Sequence, residues 1–153
     1  MLLTKRNEYA LLAMILLAGN KKDRPLPASG LAQKLRTTPA FMSKIAQQLA
    51  AAGLVTSRRG KGGGLMLVRQ PERILVRDVF LAVDGTLLLS QCMCQGRCRH
   101  LACPLYPVLR KVQQELDAGM NSARLSSFVK TTKANPSRRG EKEQRRSRDT
   151  KGR

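Results

Sequence analysis

The sequence predicts a mainly α-helical fold: a winged helix-turn-helix domain with a small β-hairpin wing, followed by a long C-terminal dimerisation helix. Three observations carry that expectation. Residues 28–35 and 38–52 have helical spacing and are separated by the two-residue turn Arg36-Thr37, the pattern of a helix-turn-helix. Directly after them, LVTSRRGKGGGLMLVRQ (54–70) places two short β-like runs around a tip of Arg, Lys and Gly, the pattern of a hairpin wing. Further on, Leu105, Val108, Leu109, Val112, Leu116 and Met120 fall at i, i+3, i+4, i+7, i+11 and i+15, an apolar stripe on one helix. Hydrophobic residues make up 42% of the chain but aromatics only 3%, with no Trp, so aliphatic side chains must pack the core.

Each element follows from local chemistry. Residues 3–18 read as a helix that is apolar nearly all round after Tyr9, which implies burial against other helices; Gly19 and NKKDRP end it. In 28–35, Leu31, Ala32 and Leu35 share one helical face. The next helix has Thr38 as its N-cap and Pro39 in the first helical position, where the missing N–H costs nothing. Phe41, Met42, Ile45, Leu49 and Ala52 keep its period, and Gly53 stops it. Pro71 closes the hairpin, and ILVRDVFLAVDG (74–85) fits a short helix ending at Gly85. A loop containing CMCQGRCRHLACP (92–104) leads to the long helix, expected to run from 105 to about 128. Its stripe lies outside the small domain and needs its own partner, met most simply by the same helix of a second subunit in a two-fold homodimer. The expected organisation is therefore a winged helix-turn-helix domain over 1–85, a cysteine-rich loop over 86–104, a dimerisation helix over 105–129 and a disordered basic tail over 130–153.

Charge narrows the partner class. The 153 residues carry 29 Lys and Arg against 10 Asp and Glu, a formal +19, which predicts a polyanion partner. The tail from Thr131 to Arg153 holds nine basic and three acidic residues, net +6, and leaves +13 on the body. A basic helix-turn-helix beside a basic wing points to double-stranded DNA, with Thr38, Ala40, Phe41, Ser43 and Lys44 against base edges. Arg58, Arg59 and Lys61 at the hairpin tip would reach phosphates or the minor groove, while Gly60, Gly62, Gly63 and Gly64 let the backbone approach. A different class, a basic RNA-associated protein, would make the tail the working part. Catalysis is not expected: there is one His, no nucleophile–base pairing that can be placed, and GKGGG is not followed by Lys-Ser or Lys-Thr before a helix.

The longest apolar run, YALLAMILLAG (9–19), falls short of the roughly 20 residues that cross a bilayer, and MLLTKRNE lacks the layout of a secretion signal. The expectation is a cytoplasmic protein whose thiols stay reduced, so its cysteines read as metal ligands or redox sensors rather than a disulfide staple. All four, Cys92, Cys94, Cys98 and Cys103, fall within twelve positions. Neither knuckle of a C-x2-C zinc ribbon is present. The wider spacing Cys92-x5-Cys98-x4-Cys103 suits a loop around an iron–sulfur cluster, with Arg97, Arg99 and His100 favouring thiolates. By spacing alone a zinc ion, a thiol redox switch and inert cysteines stay open.

From about residue 1 to 129 the chain resembles the Rrf-two family of bacterial winged-helix transcription regulators, in particular its IscR- and NsrR-like iron–sulfur sensors. The resemblance rests on LTKRNEYALLAMILLA, on TPAFMSKIAQQLAAAGLVTSRRGKGGGLMLVR, on the helix running into DVFLAVDG, and on three cysteines before the long helix with CPL at its opening. It implies a dimeric DNA-binding regulator whose operator affinity follows a [2Fe-2S] or [4Fe-4S] cluster, making it a sensor of cluster status, redox state, nitric oxide or iron. It also implies Cys92, Cys98 and Cys103 as metal ligands, with Glu8, Cys94 or His100 as the fourth. The chain departs from the family pattern in the extra thiol Cys94 and in a last gap one residue shorter, which leaves the ligand set open.

Overall fold

The computed structural model describes residues 4–20, 24–58, 60, 62–89 and 104–134. Helix α1, Lys5–Ala18, starts at Thr4, whose hydroxyl accepts the Asn7 N–H at 3.2 Å, and it buries Ala10, Ala13, Met14 and Leu17. Helix α2, Ala28–Leu35, stops because Arg36 turns into the left-handed region (φ 56°, ψ 47°), the one non-glycine residue with positive φ among the described residues. Helix α3, Pro39–Ala51, begins as its sequence dictates: the Thr38 hydroxyl accepts the Phe41 N–H at 3.3 Å, and Pro39 fills the first position. Met42, Ile45, Ala46 and Leu49 form its buried face.

The wing is a two-stranded antiparallel hairpin, β1 (Val55–Arg58) and β2 (Gly64–Leu67), with Val55 opposite Leu67 and Arg58 opposite Gly64. Two glycines make its geometry possible. A Cβ at Gly63 would run into the Arg58 carbonyl, and one at Gly64 would sit 2.5 Å from the Leu26 carbonyl carbon. The second approach matters because Leu26 and Leu65 exchange both backbone hydrogen bonds, at 3.1 and 2.8 Å, and so tie the wing to the segment before α2. A single 3-10 turn, Pro71–Arg73, leads to helix α4, Val76–Asp84, which Asp78 opens by accepting the Leu75 N–H at 3.2 Å and Gly85 closes at φ 71°. The core lies where α1, α3 and α4 meet, and Met14, Leu31, Met42, Ile45, Leu49, Ile74 and Val79 are all under 2% exposed there.

The C-terminal region departs from the single helix expected over 105–129. There are two: α5, Leu105–Ser122, and α6, Leu125–Ala134, whose last residues take up the first positions of the expected tail. Ala123 leaves the helix at ψ 116°, because the backbone from 123 to 125 pairs with the strand-like residues ahead of α4. The Val76 N–H donates to the Ala123 carbonyl at 3.0 Å and the Leu125 N–H to the Ile74 carbonyl at 2.9 Å. Leu125, 0% exposed, then plugs the core and packs the final helix onto α1. Leu125→Ala is expected to destabilise the fold by about 2–5 kcal/mol, read as a lower urea midpoint. Residues 135–153 of the expected tail lie outside the described residues. Among the described residues no helix is long and apolar enough to cross a membrane.

Candidate nucleic-acid interface and cysteine segment

Helix α3 divides cleanly between core and solvent. Opposite its buried face, Ala40, Ser43, Lys44 and Gln47 are exposed at the spacing i, i+3, i+4, i+7, so they form one stripe running from the helix N-terminus. Thr38 and Pro39 are exposed at its head. Gln47 was not among the residues singled out from the sequence, although the helical repeat that starts at Ala40 reaches it. Phe41 sits differently from its neighbours: its ring is half-buried and meets Tyr9 edge-on, centroids 5.6 Å apart at 87°, so packing against α1 is its visible task.

The wing adds cations beside this stripe. Arg58 is exposed at the end of β1, and Thr56 and Ser57 before it are exposed as well. Gly62 is exposed and Gly63 half-buried, the latter donating its N–H to the Gly60 carbonyl at 2.9 Å to tighten the tip. Arg59 and Lys61 lie outside the described residues. Lys34 and Arg36, exposed at the end of α2, flank the turn between the two helices and were also missed from sequence. The single ion pair recorded among the described residues joins Arg6 to Asp84 at 3.9 Å, so Lys44 and Arg58 have no carboxylate there to neutralise them. Unneutralised cations on an exposed helix face and hairpin can hold phosphates, and the polar side chains between them can reach base edges.

Cys92, Cys94, Cys98, Cys103 and His100 all lie outside the described residues, but both ends of their segment are placed. The upstream stem, 86–89, is held to α5 by Gln113, which is 7% exposed. Its Oε1 accepts the Leu89 N–H at 2.9 Å, while its Nε2 donates to the Leu87 carbonyl and to Asp117 Oδ1, both at 3.0 Å. The downstream end is Pro104, where α5 begins. Gln113 lies eight residues into that helix, about 12 Å along its axis, so the segment 90–103 starts and finishes on α5.

Glu8 is exposed in the first turn of α1. That turn is bolted to the end of α4: Asp84 Oδ2 accepts from Asn7 Nδ2 at 2.7 Å and from the Thr4 hydroxyl at 3.1 Å. Thiols with one carboxylate or imidazole as a further donor suit an iron–sulfur cluster, and they suit zinc as well, so the donor chemistry fits a metal group without choosing between the two.

Comparison with known proteins agrees with this architecture. The family model Rrf2, described as an iron-dependent transcriptional regulator, matches residues 3–131. The HTH-type transcriptional regulator IscR of Xenorhabdus nematophila is 30% identical over 134 residues, covering 85% of this chain and 80% of that protein. IscR of Klebsiella pneumoniae is 28% identical over 130 residues, covering 84% and 80%. Among solved structures, CymR, the global cysteine regulator of B. subtilis, superposes with a TM-score of 0.73 at 21% identity, covering 86% of this chain and 98% of that one. T. potens IscR superposes with a TM-score of 0.67 at 23% identity, covering 86% and 88%.

Proposed function

The chain belongs to the Rrf2 family, which makes it a DNA-binding transcriptional regulator and not an enzyme, and on that premise we propose that an iron–sulfur cluster sets its operator affinity. Cys92, Cys98 and Cys103 hold the cluster, with Glu8, Cys94 or His100 as fourth ligand. The observation that carries this reading is the anchoring of the cysteine segment at both ends of one stretch of α5, the helix that also bears the exposed apolar stripe. When bound, the cluster supplies iron and sulfide that answer to oxidants, nitric oxide and iron supply.

The chain's own residues do the rest. In a two-fold dimer the α3 stripes of the two subunits address half-sites about one DNA turn, ~34 Å, apart, so a small change in the angle between subunits misaligns one of them. Ala40, Ser43, Lys44 and Gln47, with Thr38 at the helix head, meet bases and the adjoining phosphates; Arg58, Arg59 and Lys61 meet the backbone, where Gly62 and Gly63 allow close approach. Phe41 holds the helix on α1. Glu8 is exposed in the turn of α1 that Thr4 and Asn7 bind to the α4 end, which supports it as a ligand donor from the same or the partner subunit.

The test is anaerobic purification with iron, sulfide and zinc analysis, paired with operator binding. A brown protein with iron and sulfide is expected, and Cys92→Ala, Cys98→Ala or Cys103→Ala should each lose most of the iron and shift operator affinity about tenfold or more, the usual size of a coupling between sites. Colourless protein carrying zinc would make the metal a structural staple. Colourless, metal-free protein that answers to thiol oxidants would make the cysteines a redox switch.

A further inference from the structure

Three side-chain amides, one from each of α1, α3 and α5, converge on the seven residues that take the chain from the last turn of α4 to the mouth of the cysteine segment. Asn7 donates to Asp84, Gln48 Nε2 donates to the Val83 carbonyl at 3.0 Å, and Gln113 pairs with both Leu87 and Leu89. We infer that residues 83–89 are a junction through which the state of the cysteine segment reaches the recognition helix, with Gln48 as the positioning residue on the α3 side. The inference rests on the cluster-dependent reading above and adds the route that reading lacks.

Gln48 is the informative member. It follows Gln47 on α3, one residue beyond the stripe that would face DNA, so a displacement of its backbone displaces the stripe as a rigid body. Its partner, the Val83 carbonyl, is one of the last-turn acceptors that α4 cannot satisfy within itself, at the negative end of that helix. Its other amide atom tells against a packing role. Gln48 Oε1 is buried and has no hydrogen-bond partner among the described residues. A buried acceptor without a partner is a standing cost that an apolar side chain of the same length would remove. The hydrogen bond this amide makes among the described residues comes from its donor, which ties α3 to α4.

The remaining contacts give the junction its leverage. Asp84 is fixed to α1 by Thr4 and Asn7, so the end of α4 cannot move without taking α1 along. On the other side of Gly85, Gln113 fixes 87–89 to α5. Residues 83–89 are thus a short strap hydrogen-bonded to the recognition helix at one end and to α5 at the other. A coupling of this kind needs an element with two arrangements that both sites bias, and that is the role assigned to the strap between Gln48 and Gln113.

The experiment uses the full-length protein, prepared without oxygen, and compares parent, Gln48→Met and Gln48→Leu. Four quantities are read on each: iron and sulfide content, melting temperature, operator affinity of the iron-loaded form and operator affinity of the form freed of iron by chelation. Both variants should keep the parent's iron content and melt close to the parent's temperature, because removing Oε1 offsets the loss of the donor to the Val83 carbonyl. Their loaded-to-free affinity ratio should fall from tenfold or more to within about twofold. Hydrogen exchange across α3 should differ between loaded and free parent and coincide in the variants. Gln48→Lys, which restores a donor to the Val83 carbonyl, should recover part of the ratio. A variant with the parent's iron content and the parent's ratio overturns the inference and leaves the proposed function standing. A parent whose loaded and free forms bind the operator equally overturns both. If one apolar variant fails to fold, the other supplies the same ratio.

Discussion

Val108→Glu combined with Val112→Glu is expected to leave the protein monomeric and to lower its affinity for an operator of two half-sites by a factor on the order of 10²–10⁴. The stripe expected from the sequence is real in part. Along α5, Leu105, Val108 and Val112 are 63%, 60% and 45% exposed, whereas Leu109, Leu116 and Met120 are half-buried, with Met120 against the core. A helix that shows three aliphatic side chains at i, i+3 and i+7 has a face still to cover, and each side chain gains about 1.5–3 kcal/mol on full burial. In the proposed dimer the two-fold partner offers the same face, so each substitution would act twice and bring carboxylates together across the seam. Because both residues are exposed in the single chain, the monomer should stay folded, melting below the parent only by what the lost dimer contacts contributed. Sedimentation gives the mass, and anisotropy on whole and half operators separates loss of bivalency from loss of contact. A variant that stays dimeric, or a monomer that binds the whole operator as tightly as the parent, would place the proposed dimer elsewhere.

The part of the fold that was legible is the part fixed by local chemistry. Thr38 and Pro39 announce the start of α3, and the structure begins the helix there with the cap hydrogen bond in place. The glycines of the wing are expected to let the backbone approach DNA, whereas the close approach that Gly64 makes is internal, against Leu26, and nothing in the sequence pointed to it. What could not be read was decided by contacts distant in sequence. Ala123, Arg124 and Leu125 contain neither glycine nor proline, so nothing local stops a helix there; pairing with 74–76 and the burial of Leu125 do. Three amides were equally opaque. Asn7 and Gln113 are buried and Gln48 half-buried, yet polar residues on helices are expected at the surface unless a partner is known, and the partners here lie 24 to 77 positions away. Arrangement of the cysteine ligands is illegible for another reason: spacing states how far thiols can reach and not which four donors meet.

Within the proposed DNA-reading surface, Lys44→Ala combined with Gln47→Ala is expected to reduce operator affinity by a factor on the order of 10²–10⁴, since each well-formed base contact discriminates by about 1–3 kcal/mol. The two residues lie one helical turn apart on the exposed side of α3, away from Met42, Ile45 and Leu49, so their loss leaves the core intact. Glutamine can bond an adenine edge with both its donor and its acceptor, so Gln47→Ala alone should relax preference at one base pair while changing non-specific binding little. Arg58→Ala should do the reverse, weakening binding to all sequences alike and lowering the slope of log affinity against log salt by about one. The contrast between the two substitutions tests the division of labour between helix and wing. If Gln47→Ala changes only the salt slope, the α3 stripe is a phosphate clamp, and the sequence must be read by another surface.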